Sequence, residues 1–145
     1  MLVAALAGCG GDKGPDEDPG AFATTLVRQL DRGNTAAAWT ELHPFHQAKV
    51  PQGRYVRCER RDPIEGDVTK IQVKDVRDEQ WTIPGEDGQA DSKAVTMQVT
   101  LALPQQQAQH FDLTVHLFDV DGTWRWVIGD VDYDAYAAGS CPSAG

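Results

Sequence analysis

Hydrophobic runs are short in this chain. None reaches the ~18 consecutive apolar residues of a membrane-spanning helix, so no part of it reads as a span. Cations are also scarce: 13 Lys and Arg stand against 22 Asp and Glu, a net charge of −9. That balance makes nucleic acid and anionic membrane surfaces poor partners. Cysteine is limited to Cys9, Cys58 and Cys141, too widely spaced for zinc, which takes closely paired Cys or His. There is no glycine-rich phosphate loop, no Ser-centred nucleophile elbow and no zincin helix. With these absences go the commonest nucleotide, hydrolase and metalloprotease readings, and no cofactor is expected.

What is present begins at the N-terminus. An apolar run from Met1 leads into Leu6-Ala7-Gly8-Cys9, which resembles the lipobox of bacterial lipoproteins. There, small residues precede a cysteine that is diacylated and becomes the first residue of the mature protein. The resemblance implies that residues 1–8 are a signal-peptide remnant and that Cys9 anchors an extracytoplasmic protein to the cell membrane. A complete secretory signal has a charged n-region and an apolar segment of ~7–15 residues. Here the apolar segment is only Leu2 to Ala7 and no cation precedes it, so a translation start upstream is expected. The alternative is an intracellular chain whose first turn is apolar. Residues 9–18 contain Gly10-Gly11-Asp12-Lys13-Gly14-Pro15-Asp16-Glu17-Asp18, an acidic tether with too little apolar surface to fold. If Cys9 is lipidated, Cys58 and Cys141 remain as a pair in an oxidising space, and a disulfide between them is expected.

The remaining stretch, 19–145, suits one domain with its own core. Asp18-Pro19 is an N-cap and first helical position. Phe22, Leu26, Val27 and Leu30 then recur at helical spacing up to Gly33. Asn34 precedes a second helix through Trp39, which ends near His43 because the residue before Pro44 is driven out of helical geometry. Two short helical turns follow, Phe45 to Val50 and Gln52 to Cys58. From Val68 the period becomes two. Strands are expected near 68–78, 94–103, 110–119 and 124–131, with Asp121-Gly122 as a hairpin turn. Alternation in the first strand is broken: Ile71 and Val73 fall on one face, Val68 and Val76 on the other, as a bulge or strong twist would explain. The pattern predicts an α+β domain with helices packed on an antiparallel sheet. The face carrying Val95, Val99, Leu113, Val115, Trp126 and Ile128 should be buried against Phe22, Leu26, Leu30 and Trp39.

Gly33-Asn34-Thr35-Ala36-Ala37-Ala38-Trp39, Leu42-His43-Pro44 and Asp121-Gly122-Thr123-Trp124-Arg125-Trp126 together resemble the NTF2-like (cystatin-like cone) superfamily, in particular its small secreted actinobacterial lipoproteins. The resemblance covers about 19–134 and rests on packing motifs. It implies a curved four-stranded sheet rolled into a cone, with helices covering a concave face that can hold a pocket. The superfamily includes enzymes, binding proteins and accessory domains, so the fold does not select a function.

Side chains that can carry chemistry each have a plainer reading. Asp130, Asp132 and Asp134 imitate the start of an EF-hand loop, but Ala135 and Cys141 stand where Gly and Glu are required, so no metal site is expected. Lys49, Arg54, Arg57, Arg60 and Arg61 form a local basic cluster, read as a solvated helix face paired with Glu59 and Asp62. Trp124 and Trp126 read as core, and Trp81 as a surface residue. His43, Tyr55, His116 and Trp39 are the candidate pocket-lining residues, without an ordered catalytic motif. The expectation is a non-catalytic binding or interaction module for a small apolar ligand or an envelope protein. The alternative is a cone-fold enzyme of isomerase or dehydratase type acting on a small apolar substrate.

Overall fold

The computed structural model describes residues 14–143. Cys9 and the apolar run before it lie outside the described residues. Asp18 caps α1 (Pro19–Asp31) by accepting a hydrogen bond from Ala21 N at 2.8 Å. Helix α2 (Thr35–Thr40) follows Gly33, whose φ of 71° closes the turn at little steric cost. Helices α3 (Pro44–Lys49) and α4 (Gln52–Arg61) are separated by Pro51. Four strands come next: β1 (Asp67–Trp81), β2 (Ala90–Ala102), β3 (Gln109–Val120) and β4 (Thr123–Trp126). They pair antiparallel in sequence order.

The broken alternation of β1 has a definite origin. Register shifts fall between Val68 and Lys70 and between Val73 and Asp75, so Thr69 and Lys74 oppose no residue of β2. Each extra residue restores the phase. Val68, Ile71, Val73 and Val76 thereby come to lie opposite Leu101, Val99, Met97 and Val95, all on one face.

Helix α1 packs on that face across β1 and β2. It is pinned at its C-terminal end, where Asp31 accepts from Val68 N at 3.1 Å and Arg28 donates to Val68 O at 3.1 Å. Phe22, Leu26, Val27, Ala38, Leu42 and Tyr55 form the core with Val95, Met97, Val99, Leu117 and Trp126. Leu113 and Val115 are only half-buried, less than the alternation predicts, because they border an open cleft described below.

The cone is not formed. The sheet is an open, flat meander, β1-β2-β3-β4, that neither closes nor curls strongly, and this overturns both the NTF2-like resemblance and the cone-shaped fold it implied. Curvature in a sheet is built with β-bulges and glycine kinks, which bend the strands they interrupt. Here β2 and β3 pair without a register shift over nine consecutive positions, Lys93↔Leu117 through Leu101↔Gln109. Both bulges sit in the edge strand, and β4 is four residues long.

The last strand is shorter than its alternation predicts, because the chain turns away after Trp126. Gly129 opens α5 (Asp130–Ala137), with Asp130 and Asp132 in its first turn, where carboxylates favour the helix dipole. Tyr133 and Tyr136 are buried one helical turn apart and Val131 is exposed. Helix α5 brings Cys141 to Cys58, and the two form a disulfide with Cα atoms 5.3 Å apart, as expected. Arg54 donates to Ser140 O at 2.8 Å and its guanidinium lies 5.7 Å from the Tyr136 ring. This member of the basic cluster therefore secures the C-terminus instead of pairing with an acid. No helix among the described residues is long and apolar enough to cross a membrane.

Candidate functional site

Three of the four candidate pocket residues have structural tasks. Trp39 Nε1 donates to Val50 O at 2.7 Å, tying α2 to the end of α3. His43 caps α3 through Nδ1, which accepts from Phe45 N at 3.2 Å, and its ring meets Phe118 edge-on at 5.8 Å. Tyr55 is buried between Trp126 and Tyr136, and burial beside Glu59 pushes its phenol well above its ordinary range.

His116 stands elsewhere, on a cleft of about 370 Å³. Leu26 and Leu30 of α1 line it, together with Trp81 and Pro84. The rest of the lining comes from β3, Leu113 to His116, and from the departing chain, Trp126 to Asp130. Consecutive strand residues point to opposite faces, so a cleft that touches all four from Leu113 to His116 lies along the edge of β3. The short β4 creates it. Pairing between β3 and β4 covers only Leu117 to Val120, and among the described residues no strand pairs with the half of β3 before Leu117 on that side.

Trp81 and His116 form the polar margin. Their rings stack with centroids 3.8 Å apart and planes 8° from parallel. Trp81, expected at the surface, is half-buried by this contact. Glu79 Oε2 lies 3.6 Å from His116 Nδ1, within ion-pair range but beyond hydrogen-bond length. Both atoms are buried without a hydrogen-bond partner among the described residues. Burial lowers the His116 pKa below the ordinary imidazole value. The Glu79 carboxylate opposes this and Arg77 adds to it.

His46, outside the four candidate pocket residues, is fully buried. Its Nδ1 accepts from Ile128 N at 3.0 Å, which leaves Nε2 as the donor to Pro84 O at 2.9 Å. Its ring stacks on Tyr133 at 4.7 Å. This one neutral imidazole fixes Pro84 and Ile128, both of which line the cleft. The only sequence signal was its place one helical turn after His43.

A second hollow, of about 550 Å³, lies between Asp78, Asp91, Lys93, Asp119 and Trp124, with Gly14 and Pro15 as one wall. Its polar groups are largely engaged with one another: Lys93 pairs with Asp78 and Gln80 donates to Asp91. Among the described residues no group of three or more His, Cys, Asp or Glu is arranged to hold a metal ion. No family model and no curated protein matches the chain.

Proposed function

We propose that the chain is a binding or interaction module that works outside the cytoplasm, with the cleft along β3 as its binding site. The observation that carries this reading is the lining. Leu26, Leu30, Leu113, Val115, Trp126 and Ile128 present apolar surface, and among the described residues that line the cleft Asp130 alone carries a formal charge at neutral pH. Apolar concavities with a few placed polar groups are the usual form of ligand sites. The Cys58–Cys141 bond supports an oxidising compartment. Attachment to the membrane through Cys9 belongs to the same proposal and rests on the sequence alone.

A neutral fluorescent probe, N-phenyl-1-naphthylamine, tests it. The full chain should bind the probe saturably, and Leu30→Trp, which fills the cleft from α1, should abolish the signal while preserving the circular dichroism spectrum. A wild-type protein that does not bind the probe defeats the reading.

One observation favours a second reading, an enzyme acting on a small apolar substrate: the His116–Glu79 pair at the margin of the cleft. An imidazole beside a carboxylate is a familiar general base. Under that reading His116→Gln abolishes turnover of a bound substrate, whereas under the binding reading it changes affinity alone.

A further inference from the structure

The direction of the backbone groups along the cleft follows from Trp126. Its N–H donates to Glu41 O at 3.1 Å and its carbonyl accepts from His43 N at 2.8 Å, so both of its backbone groups face away from β3. Leu117, its partner, is then in a non-hydrogen-bonded pair with β4 and turns its own N–H and C=O toward β2. The ladder between β2 and β3 has no register shift, so the alternation carries down the strand. His110, Asp112, Thr114 and His116 must direct N–H and C=O outward at the open edge. No other described segment pairs with these groups.

The other sheet edge is blunted, as exposed edges usually are. Strand β1 carries two bulges and the charged residues Lys70, Lys74, Asp75, Arg77 and Asp78. The open half of β3, from His110 to His116, has no bulge and, apart from its histidines, a single ionisable residue, Asp112. Beside it lies an apolar cleft in the position that a longer β4 would occupy.

We infer that an extended peptide from a basic partner adds to the sheet along β3 at 110–116, placing alternate apolar side chains in the cleft. Strand addition of this kind draws affinity from main-chain hydrogen bonds and selectivity from the side-chain pockets. The charge of the occupant follows from the surroundings. Asp112 stands on the edge, Asp130 lines the cleft, and the chain carries −9 overall. The same charge opposes pairing of two copies through this edge. The inference rests on the binding reading above and specifies its ligand.

A displayed library of random linear nonapeptides, selected on the full chain, tests it. Enriched sequences should alternate apolar and polar residues and carry Lys or Arg. The best synthetic peptide should slow hydrogen exchange at the amides of Asp112, Thr114 and His116. Thr114→Pro removes one outward N–H, and should weaken peptide binding by about tenfold or more. Thr114→Val, which changes the side chain but keeps the N–H, should lose markedly less affinity than Thr114→Pro. Equal binding to the proline variant, or protection at other amides, overturns the inference, as does concentration-dependent dimerisation competing with the peptide. If Thr114→Pro fails to fold, the exchange pattern of the wild type decides. Binding of the naphthylamine probe without enrichment of any peptide rejects strand addition and leaves the binding reading standing. Failure of both rejects both.

Discussion

Trp81 and His116, 35 residues apart in sequence, stack nearly parallel at 3.8 Å, and this pair joins the end of β1 to the unpaired half of β3. Burial lowers the pKa of His116, with Glu79 raising it and Arg77 lowering it. Removing the opposing carboxylate with Glu79→Gln should lower the His116 pKa further, and Arg77→Ala should raise it. Proton NMR titration of the imidazole reads both shifts, and a change of either sign opposite to this shows that the cluster is arranged differently.

Acid should destabilise the fold through its histidines. Burial holds the pKa values of His43, His46 and His116 below the ordinary value of ~6.5. As pH falls below ~6.5 the unfolded chain takes up protons that the folded chain resists, so stability declines until the folded-state values are passed. Glu41, Glu59 and Asp132, raised chiefly by burial, act in the opposite sense at lower pH. His46 has the most to lose, since a proton on Nδ1 would confront Ile128 N–H. Thermal melts between pH 7.5 and 5.5 should show a falling midpoint, with a shallower slope in His46→Gln. A slope unchanged by that variant would sink the assignment.

Reduction of Cys58–Cys141 should cost ~2–5 kcal/mol. The bond spans 83 residues, so the loss falls mainly on the entropy of the unfolded chain in the loop-closure model. At ~2–8 °C per kcal/mol for domains of this size range, the midpoint should fall by several degrees in Cys58→Ala/Cys141→Ala. Free-thiol titration of the unreduced protein should find neither cysteine.

Gly85→Ala should be destabilising by ~1–3 kcal/mol. Gly85 has φ of 88°, and a methyl group there would collide with the ring and hydroxyl of Tyr133. Gly88→Ala, also at positive φ but with open space around it, should cost less, ~1 kcal/mol. Urea denaturation of the two variants compares them directly.

The sequence made most elements legible because periodicity reports which face of an element is buried. Phe22, Leu26 and Val27 marked α1, and Val95, Met97 and Val99 marked β2. It failed where the backbone departs from periodicity. Trp124, Trp126 and Ile128 share a parity that continues a strand, but Gly129 and the acidic first turn of α5 end it at Trp126. The resemblance to a cone failed for a related reason. Its motifs concern helix packing, whereas curling depends on where bulges and glycine kinks fall. The site was partly legible. His116 was visible as a polar residue on a strand, but its stacking on Trp81 and the open edge beside it depend on where β4 stops. No residue pattern within β3 records that.

Thr69 and Lys74, the two unpaired residues of β1, are the places where this strand tolerates a change in length. Loss of either one removes one bulge and leaves Val68, Ile71, Val73 and Val76 in the same orientation. Loss of Gln72 instead transposes inside and outside for every position on one side of it. In an alignment of chains sharing this sheet, single-residue gaps should therefore accumulate at 69 and 74 and be absent between them.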